Sequence, residues 1–377
     1  MKVTGIIAEC NPLHEGHKYL LHEARKITGA DYIVVAMSGD YVQRGAPAIV
    51  SKEQRAADLL HSGADLVLEL PLYVSASGAD YFARGGVSLM ESLGVVTDLA
   101  FGSESGDLSL LADAARALNT DTEAFREALQ TGLRKGLPFP QARAAAMTTL
   151  ELPSSPNDLL GAEYLRALDR TGSAIRPHAI PRTKAASASD LRAQMLESRK
   201  DTDPYLCRDD FSDLLLHALY GARNAEDLSV YLDVSWDLAG RILHELPSYR
   251  SFTTFCESVK TRNYTYTRVS RALLHILLGM MQSTMETLDN NTGLCGWIRP
   301  IGFRRSAAPL LTQIAAGSNV PFLDKLSRAE DLLPADLYAV LCEDLRAEFL
   351  YDLMAARRGG QASGQAVQPF RKPLIIL

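Results

Sequence analysis

Two histidines three residues apart, His14 and His17, stand in the stretch Cys10-Asn11-Pro12-Leu13-His14-Glu15-Gly16-His17, between a β-branched run and an amphipathic one. Side chains at that spacing share one face of a helix. Imidazoles placed there can donate hydrogen bonds to phosphate oxygens as charge develops during displacement at a nucleotide α-phosphate. The first turn of such a helix adds unpaired N–H groups and the positive end of the helix dipole. Gly16 is expected to let a nucleotide approach the backbone closely. The competing reading is two polar surface residues at a helix start, against which stand the preceding strand, the Asn-Pro and the intervening glycine. A zinc site fits poorly, because the H-E-x-x-H spacing and a third ligand are both missing. There is no Walker A loop and no G-x-G-x-x-G. Gly102-Ser103-Glu104-Ser105-Gly106 has the outline of a hydrolase elbow but carries Glu where the nucleophile belongs.

A second candidate is Ala186-Ser187-Ala188-Ser189-Asp190-Leu191-Arg192. Ser187 and Asp190 have the spacing of a capping box. The same hydroxyls at a helix N-terminus could instead hold a leaving pyrophosphate, with Arg182 and Arg192 offsetting its charge. Asn157, after Pro156, reads either as a helix cap or as an amide that donates and accepts toward a nucleotide. Asp40, Gln43 and Arg44 lie in the loop from Ser38 to Ala48, either at the edge where the histidines stand or in a solvated turn built on Gly39 and Gly45.

The elements that must position these groups alternate over the first 200 residues. Val3 to Ala8, Tyr32 to Met37, Leu66 to Leu70 and Leu99 to Phe101 predict strands, with Ser173 to Ile180 a further one. Lys18 to Ile27, Lys52 to His61 and Asp80 to Leu93 carry apolar residues at helical spacing. That order predicts an α/β fold, a doubly wound parallel sheet of the Rossmann-like kind, whose ligands bind outside the carboxyl ends of the strands. Helices are expected at Asp107 to Leu118, Thr122 to Arg134, Gln141 to Leu150 and Asp158 to Asp169. Beyond residue 200 the strand signal fades, and Phe211 to Tyr220, Trp236 to Glu245, Phe252 to Thr261, Tyr266 to Gly279 and Ala335 to Arg357 all read as helices. The expected organisation is a nucleotide-binding catalytic domain over 1–200, a mainly helical domain over 201–357 and a flexible tail over 358–377, whose Gly359 to Gln365 stretch is linker-like.

The 377 residues suit two globular domains, and 47% hydrophobic with 22% charged residues excludes a largely disordered, collagenous or disulfide-stapled chain. No apolar run approaches the length of a bilayer-spanning helix, so no membrane span is expected. The amino-terminal residues have no signal-like apolar region, and the expected location is cytoplasmic. Five scattered cysteines without a C-x-x-C signal neither disulfides nor a zinc knuckle. The net charge of −6 hides a basic stretch, Arg241 to Arg305, with nine Lys/Arg against four Asp/Glu. Within it Lys260, Arg262, Arg268 and Arg271 can form a stripe, with Tyr264 and Tyr266 able to stack on bases; each Arg could equally be an intraprotein ion-pair partner. Arg299, Arg304 and Arg305 are expected to extend that track, unless Arg299-Pro300 is a structural turn.

Together these motifs resemble the nucleotidylyltransferase superfamily of adenylyl- and cytidylyltransferases, and more closely the tRNA(Met) cytidine acetate ligase family. The likeness runs through Ala8 to His17, Ser38 to Ala48, Gly63 to Pro71, Phe101-Gly102-Ser103-Glu104 and Pro156 to Gly161. It continues in Lys260 to Thr265 with Arg268 and Arg271, and in Arg299 to Phe303. The resemblance implies that acetate is activated with ATP and passed from acetyl-adenylate to the N4 amine of the wobble cytidine of elongator tRNA(Met); Mg²⁺ is expected because ATP phosphates usually travel with it. It implies that Ile7-Ala8-Glu9-Cys10-Asn11-Pro12-Leu13-His14-Glu15-Gly16-His17-Lys18-Tyr19-Leu20 hold ATP, with Gly102, Asn157, Arg182, Ser187 and Ser189, and that His14 and His17 stabilise the α-phosphate. No resident metal site is expected. The chain departs from the family pattern between Arg182 and Ser187, where the loop is short. The alternatives are a nucleotidylyltransferase acting on a small phosphorylated metabolite, which would not need the basic helical region, and a non-catalytic RNA-binding protein.

Overall fold

The computed structural model describes all residues except 121–122, 138, 150–154, 184–186 and 360–367. The expected ends of two helices at Thr122 and Leu150, most of the short loop before Ser187, and most of the Gly359 to Gln365 linker therefore lie outside the described residues. Among the described residues the strands are β1 (Val3–Ala8), β2 (Tyr32–Ser38), β3 (Tyr41–Val42), β4 (Ala46–Pro47), β5 (Leu66–Leu70), β6 (Asp98–Ser103), β7 (Arg176–Pro181), β8 (Arg299–Phe303) and β9 (Ile375–Ile376). Seven form one sheet in the order β7-β6-β1-β2-β5-β8-β9, and β3 with β4 makes a small hairpin. From β7 to β5 every pairing is parallel. The chain winds outward from β1 in both directions, so the crevice between the carboxyl ends of β1 and β6 is the switch point where ligands of such sheets bind.

Side chains alternate across the sheet, as strand geometry requires. Ile6, Ile33, Val35, Met37 and Val67 point to one face, where α1 (Glu15–Thr28) supplies Leu21 and Ala24, and α2 (Lys52–His61) supplies Ala56, Leu59 and Leu60. Ile7, Val34, Ala36, Leu68 and Phe101 point to the other face, toward the helices Ala79–Ser92 and Pro156–Thr171. The core on that side continues without a break into the helices between Phe211 and Tyr351.

Two observations modify the expected organisation. β8 comes from the region read as helical and adds antiparallel to β5. Its Arg-Pro-Ile-Gly-Phe sequence has the look of a turn, yet Pro300 falls where the ladder shifts register opposite Val67 and Leu68, the kind of irregularity that tolerates a missing N–H. The segment after the linker is also tied down: β9 pairs with β8, and the Lys372 ammonium lies 2.7 Å from Asp352 and 3.0 Å from Glu348.

Candidate functional site: a histidine pair at a strand-to-helix crevice

The chain leaves β1 through Cys10, whose φ of +49° is rare for a residue with a side chain, and enters α1 at His14. His14 is the helix N-cap. Its Nδ1 accepts from the Gly16 N–H at 3.0 Å, and Nδ1 of His17 accepts from the His14 N–H at 3.3 Å, a reciprocal capping box made of two imidazoles. The rings lie 3.9 Å apart between centroids. Because each Nδ1 is an acceptor, the proton of each neutral ring sits on Nε2, its remaining donor. Burial lowers the pKa of His14, assisted by the Arg182 field. Burial, His14 and Arg182 together push His17 down to about 3. Both are therefore neutral donors at physiological pH.

Gly16 has a different reason to be glycine from the one expected. A Cβ there would lie 2.8 Å from Cε1 of His14, so the missing side chain makes room for the capping imidazole. Burial pushes the Cys10 thiol up to about 12, which removes it as a nucleophile.

Both histidines line a cavity of about 460 Å³ at the switch point. Of the expected nucleotide residues, Ile7, Ala8, Glu9, Cys10, Asn11, Gly16, Tyr19, Leu20, Gly102, Asn157, Arg182, Ser187 and Ser189 also line it. Pro12, Leu13, Glu15 and Lys18 do not: Glu15 and Lys18 pair with each other at 2.7 Å on the outer surface of α1, and Leu13 packs against the core beneath it. Ser187 does form the capping box of the helix Ala188–Glu197, accepting from the Asp190 N–H at 3.2 Å. Arg192 ties that helix to the turn before α1, donating to the Asn11 carbonyl at 2.5 Å and to Ser189 Oγ at 3.0 Å.

Asn157 is not the cap of its helix; Ser155 occupies that position. The Glu104 carboxylate covers the helix start instead, accepting from the N–H groups of Asn157 and Asp158 at 3.1 Å each, from the Asn157 amide at 2.6 Å and from Arg182 at 3.1 Å. Burial opposes its charge, but these donors hold its pKa below the usual range.

Arg55 on α2, not a site candidate from sequence, is wholly buried and donates to four carbonyls: Val50 at 3.0 Å, Glu9 at 2.8 Å, Ser38 at 3.0 Å and Gly39 at 2.5 Å. It fastens the exits of β1 and β2 together. The loop that follows β2 is pinned from outside as well. Gly45 has φ +66° and meets the backbone of Ser270 and Arg271 so closely that no Cβ fits, while its carbonyl accepts from Ser270 Oγ at 2.7 Å.

Beneath this loop lies an ionic core. Lys52 contacts Glu69 at 2.6 Å and Glu348 at 2.7 Å, and Arg299 contacts Glu69 and Glu348 at 2.8 Å each. Arg299, expected on a phosphate track, is thus a buried fastening of β8. Arg304 likewise turns inward to the Leu60 carbonyl at 2.9 Å.

None of the expected RNA-contact residues lines the cavity. Lys260 pairs with Glu257 at 2.6 Å and Arg271 with Asp233 at 3.2 Å, Arg268 lies 5.7 Å over the Tyr264 ring, and Arg262 is exposed.

The chain with this switch-point crevice and its paired histidines matches the family model of the HIGH Nucleotidyl Transferase class over residues 1–198 and 189–365. A tRNA(Met) cytidine acetate ligase of Acetivibrio thermocellus is 34% identical over 100% of both chains, and one of Clostridium novyi is 32% identical over 94% of this chain and 96% of its own. The crystal structure of Thermotoga maritima TmcAL bound with alpha-thio ATP superposes with a TM-score of 0.90 at 28% identity, covering 100% of both chains, and the apo form gives 0.90 at 27%. The chain belongs to the tRNA(Met) cytidine acetate ligase family.

Proposed function

We propose that the chain activates acetate with ATP and acetylates the N4 amine of the wobble cytidine of elongator tRNA(Met). The observation that carries this reading is the mutually capped pair His14 and His17, whose Nε2–H groups remain as neutral donors beside a helix N-terminus. In the first step a carboxylate oxygen of acetate attacks the α-phosphorus. A new O–P bond forms, the bond from Pα to its bridging oxygen breaks, and pyrophosphate leaves with the electron pair. The two imidazoles stabilise the extra charge on the α-phosphate without transferring a proton, which suits rings that stay neutral. Arg182, Arg192, Ser187 and Ser189 are placed to receive the pyrophosphate, Arg182 by exchanging Glu104 for phosphate oxygens. In the second step the cytidine amine attacks the acetyl carbon, AMP leaves and the amine gives up a proton.

Among the described residues no group of three or more His, Cys, Asp or Glu is arranged to hold a metal. Mg²⁺ would enter with the ATP phosphates, with which it ordinarily travels. Residues 1–200 carry the activation chemistry, and the region 201–357 presents the RNA. There Arg262 and the stacked Arg268 and Tyr264 are available directly, while Lys260 and Arg271 would exchange Glu257 and Asp233 for phosphates. No described helix is long and apolar enough to cross a membrane, and action on tRNA supports a cytoplasmic enzyme.

Incubating the protein with labelled acetate, ATP, Mg²⁺ and total bacterial tRNA, then digesting the RNA, should put label in N4-acetylcytidine only when ATP is present. Absence of that label, with pyrophosphate release driven instead by a phosphorylated metabolite, would replace this reading with the small-metabolite one.

A further inference from the structure

The cavity that holds the histidine pair is also lined by Gln43, Tyr164, Glu9, Arg44 and Arg192. Tyr164 is 2% exposed, on the helix Pro156–Thr171, with its ring 5.5 Å from that of Phe101. Among the described residues its hydroxyl finds no hydrogen-bond partner, and neither does the buried Nε2 of Gln43. Burying a hydroxyl or amide donor unpaired is costly and uncommon, and an acceptor arriving in the cavity would relieve it.

The five polar groups are neighbours. Glu9 accepts from the Gln43 N–H at 3.0 Å, feels the fields of Arg44 and Arg192, and acts in turn on Tyr164. Burial drives the Tyr164 hydroxyl far above its ordinary pKa, so it stays a donor. The apolar part of the lining includes Ile7, Phe82 and Phe101, at 6%, 1% and 3% exposure.

We propose that Gln43 and Tyr164 are the donors that hold the carboxylate of a short-chain acid for attack on the α-phosphate, and that Phe82 and Phe101 limit the length of its alkyl end. This assignment rests on the acetate-activating reading above. Neutral donors orient a carboxylate while leaving it more nucleophilic than a bidentate guanidinium would.

The test is acetate-dependent exchange of labelled pyrophosphate into ATP, run with and without tRNA, on wild type, Tyr164→Phe, Gln43→Leu and the double variant. Tyr164→Phe removes only an oxygen atom, and melting temperature with ATP binding checks the folding of each variant. Each single change should raise the acetate KM about tenfold or more, the effect of losing one hydrogen bond to a charged partner, while the ATP KM stays within about twofold. A purely structural role for these side chains would not split the two constants. Phe82→Leu should raise the rate with propionate relative to acetate. Wild-type acetate constants in both single variants would overturn the subsite and leave the ligase reading standing. No acetate-dependent exchange in wild type under either condition would overturn the ligase reading and the subsite with it.

Discussion

The histidine corner and the ionic core beneath β5 and β8 handle charge in opposite ways. At the corner two neutral rings, three positions apart, hold each other through backbone N–H groups and leave their Nε2–H donors outside the cap. In the ionic core Lys52, Arg299 and Lys372 meet Glu69, Glu348, Glu53 and Asp352, groups spread from position 52 to position 372, and they pair with one another. Burial alone would raise the Glu348 pKa, but the three cations hold it well below the carboxylate range. The groups proposed for catalysis are local, whereas the fastening groups are distributed and ion-paired.

The comparison breaks most visibly at Arg299. Arg299→Met should destabilise the chain by about 3–5 kcal/mol, because it leaves buried carboxylates short of a partner, and urea unfolding will show it as a lowered midpoint with ATP affinity of the folded protein retained. An unshifted midpoint would mean that Lys52 and Lys372 suffice. His17→Ala should do the reverse, with turnover falling by about 10²–10³ and stability lowered only by the lost half of the capping box, about 1 kcal/mol. Because the folded pKa of His17 is depressed below its unfolded value, its contribution to stability is complete above about pH 6.5 and is lost as pH falls toward 3. The difference in pH dependence of unfolding between wild type and His17→Gln should lie in that window, and a difference above it would place the proton elsewhere. Ser187→Ala sharpens the contrast at the smallest scale: about 1 kcal/mol of stability from the lost cap, together with a higher ATP KM. Loss of stability alone would leave Ser187 as a cap only.

The same contrast explains what the sequence made legible. β1 and β5 fall where their β-branched runs predict, and α2 and the helix Trp236–Glu245 match their apolar spacing to the residue. His14 and His17 were readable because their geometry is set by neighbours within four positions. Arg55 was not, since its four carbonyl partners are brought together only by the finished sheet. Arg299 carried the wrong expectation because a cation in a basic stretch gives no sign of buried acids at positions 69 and 348. Tyr164 carries no signal in the sequence, because its unpaired hydroxyl exists only where its helix crosses the crevice.

The antiparallel seam between β5 and β8 joins Leu66 to Phe303 and Glu69 to Arg299, residues more than 200 positions apart. Closing so long a span is entropically expensive, and contacts of this separation form slowly. Until residue 299 reaches the sheet, β5 is an open edge of the sequence Leu-Val-Leu-Glu-Leu. A chain still on the ribosome therefore carries an adhesive strand for much of its synthesis, and this stretch is where misassembly between copies would begin.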